Sequence, residues 1–123
     1  MTKKILVVDD EVVLTKMLKM NLERTANYQV RTENMGSKAL QAAREFKPDL
    51  IFMDVMMPDM SGDEAIAQIR EDENLSSIPY VFLTAIVTKA ETAEMGNNIG
   101  GNEFLAKPVK TAELIATIER ILG

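Results

Sequence analysis

The chain has 123 residues, 46% of them hydrophobic and 27% charged, with a formal net charge of −5, which fits one globular domain. It has no basic stripe and no apolar run long enough to span a bilayer, so direct nucleic-acid binding and membrane insertion find no support. Absent cysteine excludes disulfides, thiolate metal sites and cysteine catalysis, and absent histidine removes the usual general base and any self-contained phosphohistidine donor.

Strand and helix patterns alternate five times along the chain with short connections, the pattern of βαβ units. Lys4–Val8 reads as the first strand. Lys3-Lys4 ahead of it is not a signal peptide, because the apolar run is short and Asp9-Asp10-Glu11 ends it. A cytoplasmic location is therefore expected. The first helix is predicted from about Glu11 to Arg24, with Leu14, Met17, Leu18 and Leu22 at helical spacing. Gln29–Thr32 is the most polar strand and is assigned to an edge. Helix two follows Gly36-Ser37 over about Lys38–Phe46, and Pro48 punctuates its end. Leu50–Met53 is strand three, Val55–Ser61 a loop with Pro58, and Gly62–Arg70 helix three. Pro79 opens strand four. A fourth helix falls within Thr88–Asn98, a stretch thin in large apolar residues. Gly100-Gly101 turn the chain into strand five, Glu103–Leu105, and Ala112–Leu122 forms the last helix. Right-handed crossovers then favour one doubly wound α/β domain over residues 1–123. It is flavodoxin-like, (βα)5, with a five-stranded parallel sheet in order 2-1-3-4-5.

Four apolar runs end in residues suited to phosphoryl chemistry: Ile5–Val8 in Asp9-Asp10, Leu50–Met53 in Asp54, Val81–Leu83 in Thr84, and Phe104–Ala106 in Lys107. Sites in open α/β sheets form at the carboxyl ends of the strands, so parallel neighbours would bring these groups into one crevice. Mg²⁺ prefers oxygen ligands and keeps several waters. A carboxylate can attack phosphorus, a hydroxyl can bond a phosphoryl oxygen, and a lysine can neutralise it as a point charge. Singly, each residue has a plainer account: Asp10 as a helix cap, Asp54 as a turn former, Thr84 as a strand-end turn residue, and Lys107 as a solvated lysine. Four such coincidences at four strand ends favour the joint reading.

As a set, these motifs resemble the receiver domain of two-component response regulators, a chemotaxis-regulator-like fold. The carriers are Val7-Val8-Asp9-Asp10-Glu11, Met53-Asp54-Val55-Met56-Met57-Pro58, Leu83-Thr84-Ala85 and Lys107-Pro108, with Gly62 and Gly101-Asn102-Glu103-Phe104-Leu105 in support. The resemblance implies a phosphorylation-activated switch and not an enzyme. Asp54 is the implied phosphoacceptor, with Lys107 and Thr84 acting on the phosphoryl group. Thr84 and Phe104 form the implied switch pair, and the backbone N–H groups of Met56 and Ala85 hold phosphoryl oxygens. Asp10, Asp54 and the Met56 carbonyl are implied Mg²⁺ ligands, with Asp9 acting through a metal-bound water. The implied partner is a sensor histidine kinase or a histidine phosphotransfer protein. The implied state is a monomer or a phosphorylation-dependent dimer. Met56 and Ile86 flank the approach of hydrolytic water in this scheme, and both are bulky and apolar, which implies slow self-dephosphorylation. The Lys107-Pro108 bond resembles one that is cis in the family.

Two other classes compete. A small Mg²⁺-dependent phosphatase with an aspartate nucleophile usually carries an acid two residues later, where this chain has Met56. A flavodoxin-like electron carrier needs a Ser/Thr/Gly-rich phosphate loop after strand one, where Asp9-Asp10-Glu11 would repel a flavin phosphate. The cluster Met53, Met56, Met57 and Met60 is read as adaptable packing in preference to a soft-metal site.

Overall fold

A computed structural model describes residues 2–25, 27–85, 98–99 and 102–123. The elements are β1 (Lys3–Val8), α1 (Val12–Thr25), β2 (Tyr28–Glu33), a 3₁₀ turn (Gly36–Lys38), α2 (Ala39–Phe46), β3 (Leu50–Asp54), α3 (Gly62–Glu71), β4 (Tyr80–Thr84), β5 (Asn98–Ile99), β6 (Asn102–Ala106) and α4 (Thr111–Leu122). The sheet order is β2-β1-β3-β4-β6-β5. The five longer strands are parallel and, counted alone, run 2-1-3-4-5 as expected, with the polar strand at the edge. The two-residue β5 is an unpredicted addition, antiparallel to β6. Asn98, placed at the end of the predicted fourth helix, is thus in a strand; residues 88–97 of that helix lie outside the described residues.

Side-chain alternation divides the core between the two faces of the sheet. Leu6, Val8, Ile51, Met53 and Phe82 point to one face, where α2 and α3 contribute Ala39, Ala42, Ala65, Ile66 and Ile69. Ile5, Val7, Leu50, Phe52, Val81 and Leu83 point to the other, against Leu18 and Leu22 of α1 and Leu114 and Ile118 of α4. The strand register keeps this parity, pairing Leu6 with Ile51, Val7 with Phe52 and Met53 with Phe82. A parallel sheet covered on both faces needs such near-continuous apolar strands. Burying each large side chain contributes roughly 1.5–3 kcal/mol.

Helix α1 departs from its predicted face at one residue. Met17 is 45% exposed, and the inward positions are Leu14, Thr15, Leu18 and Leu22. Thr15 is tolerated inside because its hydroxyl donates to the Val12 carbonyl (3.0 Å) and accepts from Asn34 Nδ2 (2.9 Å). Helix α4 begins without an accepting side chain at its cap, since Lys110 occupies that position. Glu113 compensates from the first turn, its carboxylate accepting the Lys110 N–H (3.3 Å). Ser61 caps α3 by accepting the Glu64 N–H (3.3 Å).

The entry to α3 allows no side chain. A Cβ on Gly62 would lie 2.2 Å from the Asp54 carbonyl oxygen, while the Gly62 N–H donates to the Val55 carbonyl (2.8 Å). Both sides of the clash are backbone, so Gly62→Ala must push α3 away from the end of β3. A loss of roughly 1–3 kcal/mol is expected. A lowered urea midpoint with an unchanged slope would show it; an unaltered midpoint would mean that α3 shifts freely.

Candidate functional site

The carboxyl ends of β1, β3, β4 and β6 enclose a cavity of about 250 Å³ lined by Asp10, Glu11, Asp54, Met56, Thr84, Ala85 and Lys107. Parallel pairing places these ends side by side: Val8 is opposite Met53, Asp54 opposite Leu83, and Thr84 opposite Ala106. The Lys107 N–H donates to the Thr84 carbonyl (2.9 Å), continuing the ladder past β6 and fixing where the lysine leaves the sheet. The Lys107-Pro108 peptide is cis.

Lys107 holds the acids together. Its ammonium is 2.7 Å from Asp9 Oδ2, 3.1 Å from Glu11 Oε1 and 3.2 Å from Asp54 Oδ1. Asp9 is fully buried beneath the cavity. Its Oδ1 accepts the Glu11 N–H (3.0 Å), and its backbone carbonyl accepts from Asn34 Nδ2 (2.7 Å). Its Oδ2 is paired with the Lys107 ammonium. Asp10 stands exposed beside it. Oxygens of Asp9, Asp10 and Asp54 lie within 4.8 Å of one another.

The crowding changes protonation. Burial first, then the negative charge of Asp9, raises Asp54 to about 6; Lys107 pulls the other way. Burial likewise lifts Asp9 above the usual carboxylate range, against hydrogen bonding and charge from Lys107 and the Glu11 N–H. For Lys107, burial disfavours the charged form, but its bonds to Asp9 and Glu11 and the charge of Asp54 outweigh it, and the ammonium is held more firmly than in water.

Of the residues singled out from sequence, Asp10, Asp54, Met56, Thr84, Ala85 and Lys107 line the cavity, and Asp9 lies beneath it. Phe104 does not line it; its ring is half-buried and stacks on Phe82, with centroids 5.3 Å apart. Ile86 lies outside the described residues. Met53 and Met57 are buried and Met60 packs against them, as the packing account requires, whereas Met56 is 66% exposed. Three contributors carried no assigned role in the sequence reading: Glu11, Asn34 and Asp59. The signals for them were weak, namely a third acid after Asp9-Asp10, an asparagine after an edge strand and an aspartate after Pro58.

Comparison with known proteins identifies the family. The response regulator receiver domain model matches residues 5–119. The alkaline phosphatase synthesis transcriptional regulatory protein PhoP of Bacillus subtilis is 38% identical over 122 residues, 99% of this chain and 49% of that protein. The polar-differentiation response regulator DivK of Brucella ovis is 33% identical over 123 residues, 100% of this chain and 98% of that protein. The solved structure of the chemotaxis response regulator CheY4 of Vibrio cholerae superposes with a TM-score of 0.82 at 32% identity, covering 99% of this chain and all of that one. The fold is that of a phosphoryl-accepting signalling module. The chain belongs to the response regulator receiver domain family, and it spans about half the length of PhoP and nearly all of DivK.

The raised Asp54 value has a direct consequence for stability. Well below the ordinary 3.8, at about pH 2–3, the carboxyl is largely neutral in folded and unfolded chains alike. As pH rises from the ordinary 3.8, the unfolded chain ionises first, so the cost of ionising Asp54 in the fold accumulates and is complete above about 6. Without divalent cation, Asp54→Asn should therefore stabilise the fold above pH 6, by on the order of 1 kcal/mol, or ~4 °C in Tm. The gain should fade as pH drops below 3.8. Thermal melts of both proteins in chelator across this range test it; a destabilised variant at neutral pH would refute the charge argument.

Proposed function

We propose that residues 1–123 form one receiver domain and that Asp54 is its phosphoacceptor. The observation that carries this reading is the Lys107 ammonium, 3.2 Å from Asp54 Oδ1 at the edge of a cavity large enough for a phosphoryl group. The donor set also fits Mg²⁺. Three carboxylates with oxygens within 4.8 Å of one another form a hard-oxygen site that one ammonium does not neutralise. Asp10, Asp54 and the Met56 carbonyl would hold the cation directly, and Asp9 through water. When bound, the cation supplies neutralisation of carboxylate and phosphoryl charge.

The chain's own groups account for the rest. An Asp54 oxygen attacks the phosphorus of a partner's phosphohistidine in line. The new O–P bond forms as the P–N bond breaks, and the imidazole leaves with the electron pair. Lys107 follows the charge from the carboxylate to the phosphoryl oxygens. The Thr84 hydroxyl and the N–H groups of Met56 and Ala85 bond those oxygens. Thr84 moving toward them would free room for Phe104, whose ring already rests on Phe82, so that the pair transmits the state of Asp54 to a partner surface. The domain performs this chemistry on itself and is a switch, not an enzyme. Its donor is a sensor histidine kinase or histidine phosphotransfer protein. No helix among the described residues is long and apolar enough to cross a membrane, which suits a cytoplasmic partner of such a kinase.

The phosphatase reading is not favoured. Membership of the receiver family counts against it, and the position two residues after Asp54 holds the exposed thioether of Met56, which cannot act as an acid. A small-molecule phosphodonor with Mg²⁺ should add one base-labile phosphoryl group to the wild-type chain and none to Asp54→Ala, and chelation should abolish labelling. Equal labelling of Asp54→Ala would overturn the assignment.

Lifetime follows from the approach to Asp54. Met56 lines the cavity, and its exposed thioether is a poor hydrogen-bond partner for an incoming water; Ile86, which the family resemblance sets on the same approach, is apolar by its residue type. The phosphorylated state should therefore be long-lived. A Met56→Asn, Ile86→Glu double variant should lose its phosphoryl group faster, about tenfold for a barrier lowered by ~1.4 kcal/mol. Matching decay rates in Mg²⁺ without kinase would remove both residues from the account.

A further inference from the structure

The loop between β3 and α3 carries Met56 to the cavity; Met57 and Met60 pack it on the core, and one side chain ties it by hydrogen bonds. Among the described residues, hydrogen bonds from residues 56–60 to the rest of the chain are made by Asp59 alone. Its Oδ1 accepts the Gly36 N–H (3.2 Å) and its Oδ2 the Ser37 N–H (2.9 Å). Hydrogen bonding from the Ser37 side chain, the Ser37 N–H and the Gly36 N–H holds the Asp59 carboxyl down at about 2, so it is ionised throughout the working pH range.

These N–H groups belong to the 3₁₀ turn that leads into α2. The first N–H groups of a helical segment lack partners within it, and Met35, at the cap position, has no side-chain acceptor. Asp59 supplies the cap from a different part of the chain, with a negative charge where a helix start favours one. The approach is close. A Cβ on Gly36 would lie 2.7 Å from the Met60 carbonyl oxygen and 3.1 Å from the Met57 methyl. Loop and turn therefore fit at one separation only.

We propose that Asp59 is a positioning residue for the metal half of the site: Val55 is held by its backbone bonds to Leu83 and Gly62, and by clamping the Gly36 and Ser37 N–H groups Asp59 fixes the 56–60 segment beyond it and so the placement of Met56 at the cavity. The inference rests on the reading of the cavity as a Mg²⁺ site. Asp59 itself touches neither cation nor phosphoryl group. Its loss removes a constraint on one ligand and leaves Asp9, Asp10, Asp54 and Lys107 in place on their strand ends. The effect falls on metal affinity and not on transfer once metal is saturating.

Mg²⁺ dissociation constants follow from the concentration-dependent rise in Tm, measured for wild type, Asp59→Ala, Asp59→Asn and Ser61→Ala. Asp59→Ala should weaken Mg²⁺ binding on the order of tenfold, the scale of lost outer-shell support, with unchanged labelling of Asp54 at saturating Mg²⁺. Asp59→Asn retains one carbonyl acceptor and should fall between. Ser61→Ala removes the α3 cap from the same loop and should cost stability without moving the Mg²⁺ constant. Wild-type affinity in Asp59→Ala would overturn the inference. So would equal affinities in Asp59→Asn and Asp59→Ala, which would make the effect one of charge. Equal weakening by Ser61→Ala would also overturn it, as general loosening of the loop. If wild type shows neither a Mg²⁺-dependent rise nor labelling, the reading of the site itself fails, apart from anything Asp59 does.

Discussion

The Lys107 ammonium lies within 3.2 Å of oxygens from Asp9, Glu11 and Asp54, which leave the sheet at the ends of two different strands. Carboxylates brought this close repel one another, and burial adds the cost of lost hydration. One cation among three acids limits the penalty without cancelling it, and the upward shifts of Asp9 and Asp54 are the remainder. The lysine can serve all three only because its own backbone is hydrogen-bonded to Thr84, on the strand between β3 and β6. Strand order, register and the charge balance of the cavity are thus one constraint. A slip of either neighbour by one residue would turn a polar strand end into the core.

The backbone around the cavity is held by contacts that leave no slack. Gly62 brings the start of α3 onto the Asp54 carbonyl, and Gly36 brings the 3₁₀ turn onto Met60. Asn34 ties the end of β1 to α1 by donating to both the Asp9 carbonyl and Thr15. The Gly36 and Asn34 ties join segments distant in sequence, and the Gly62 tie closes the short loop that carries Met56. The site is therefore carried by rigid strand ends and by loops pinned from below, which is how a reacting group is kept in line with its target.

The architecture was legible because period and punctuation agree along most of the chain. The runs Ile5–Val8, Leu50–Met53 and Val81–Leu83 are too short for helices and too apolar for edges, and Gly62, Pro48 and Pro79 mark boundaries within a residue or two of the observed ones. The acids and the lysine were legible because each follows such a run directly. Met17 was misread because helical spacing alone does not say which side of a stripe meets the sheet; the polar Thr15 goes inside once Asn34 satisfies it. Asp59, Glu11 and Asn34 were not legible as contributors, because their partners lie far away in sequence and nothing local marks the encounter. The β5–β6 pairing escaped for a related reason. Two residues, Asn98 and Ile99, are too few to show a period.

The parity of the strands gives the molecule two separate interiors. Phe82 and Phe104 belong with α2 and α3 on one face, whereas Phe52, Leu83 and Leu105 belong with α1 and α4 on the other, and the hydrogen-bonded sheet stands between them. Substitutions on opposite faces share no side-chain partners, so to first order their energies add, while those on the same face couple through common neighbours. Repacking around Phe104 is thus separated by the sheet from the helices on the other face.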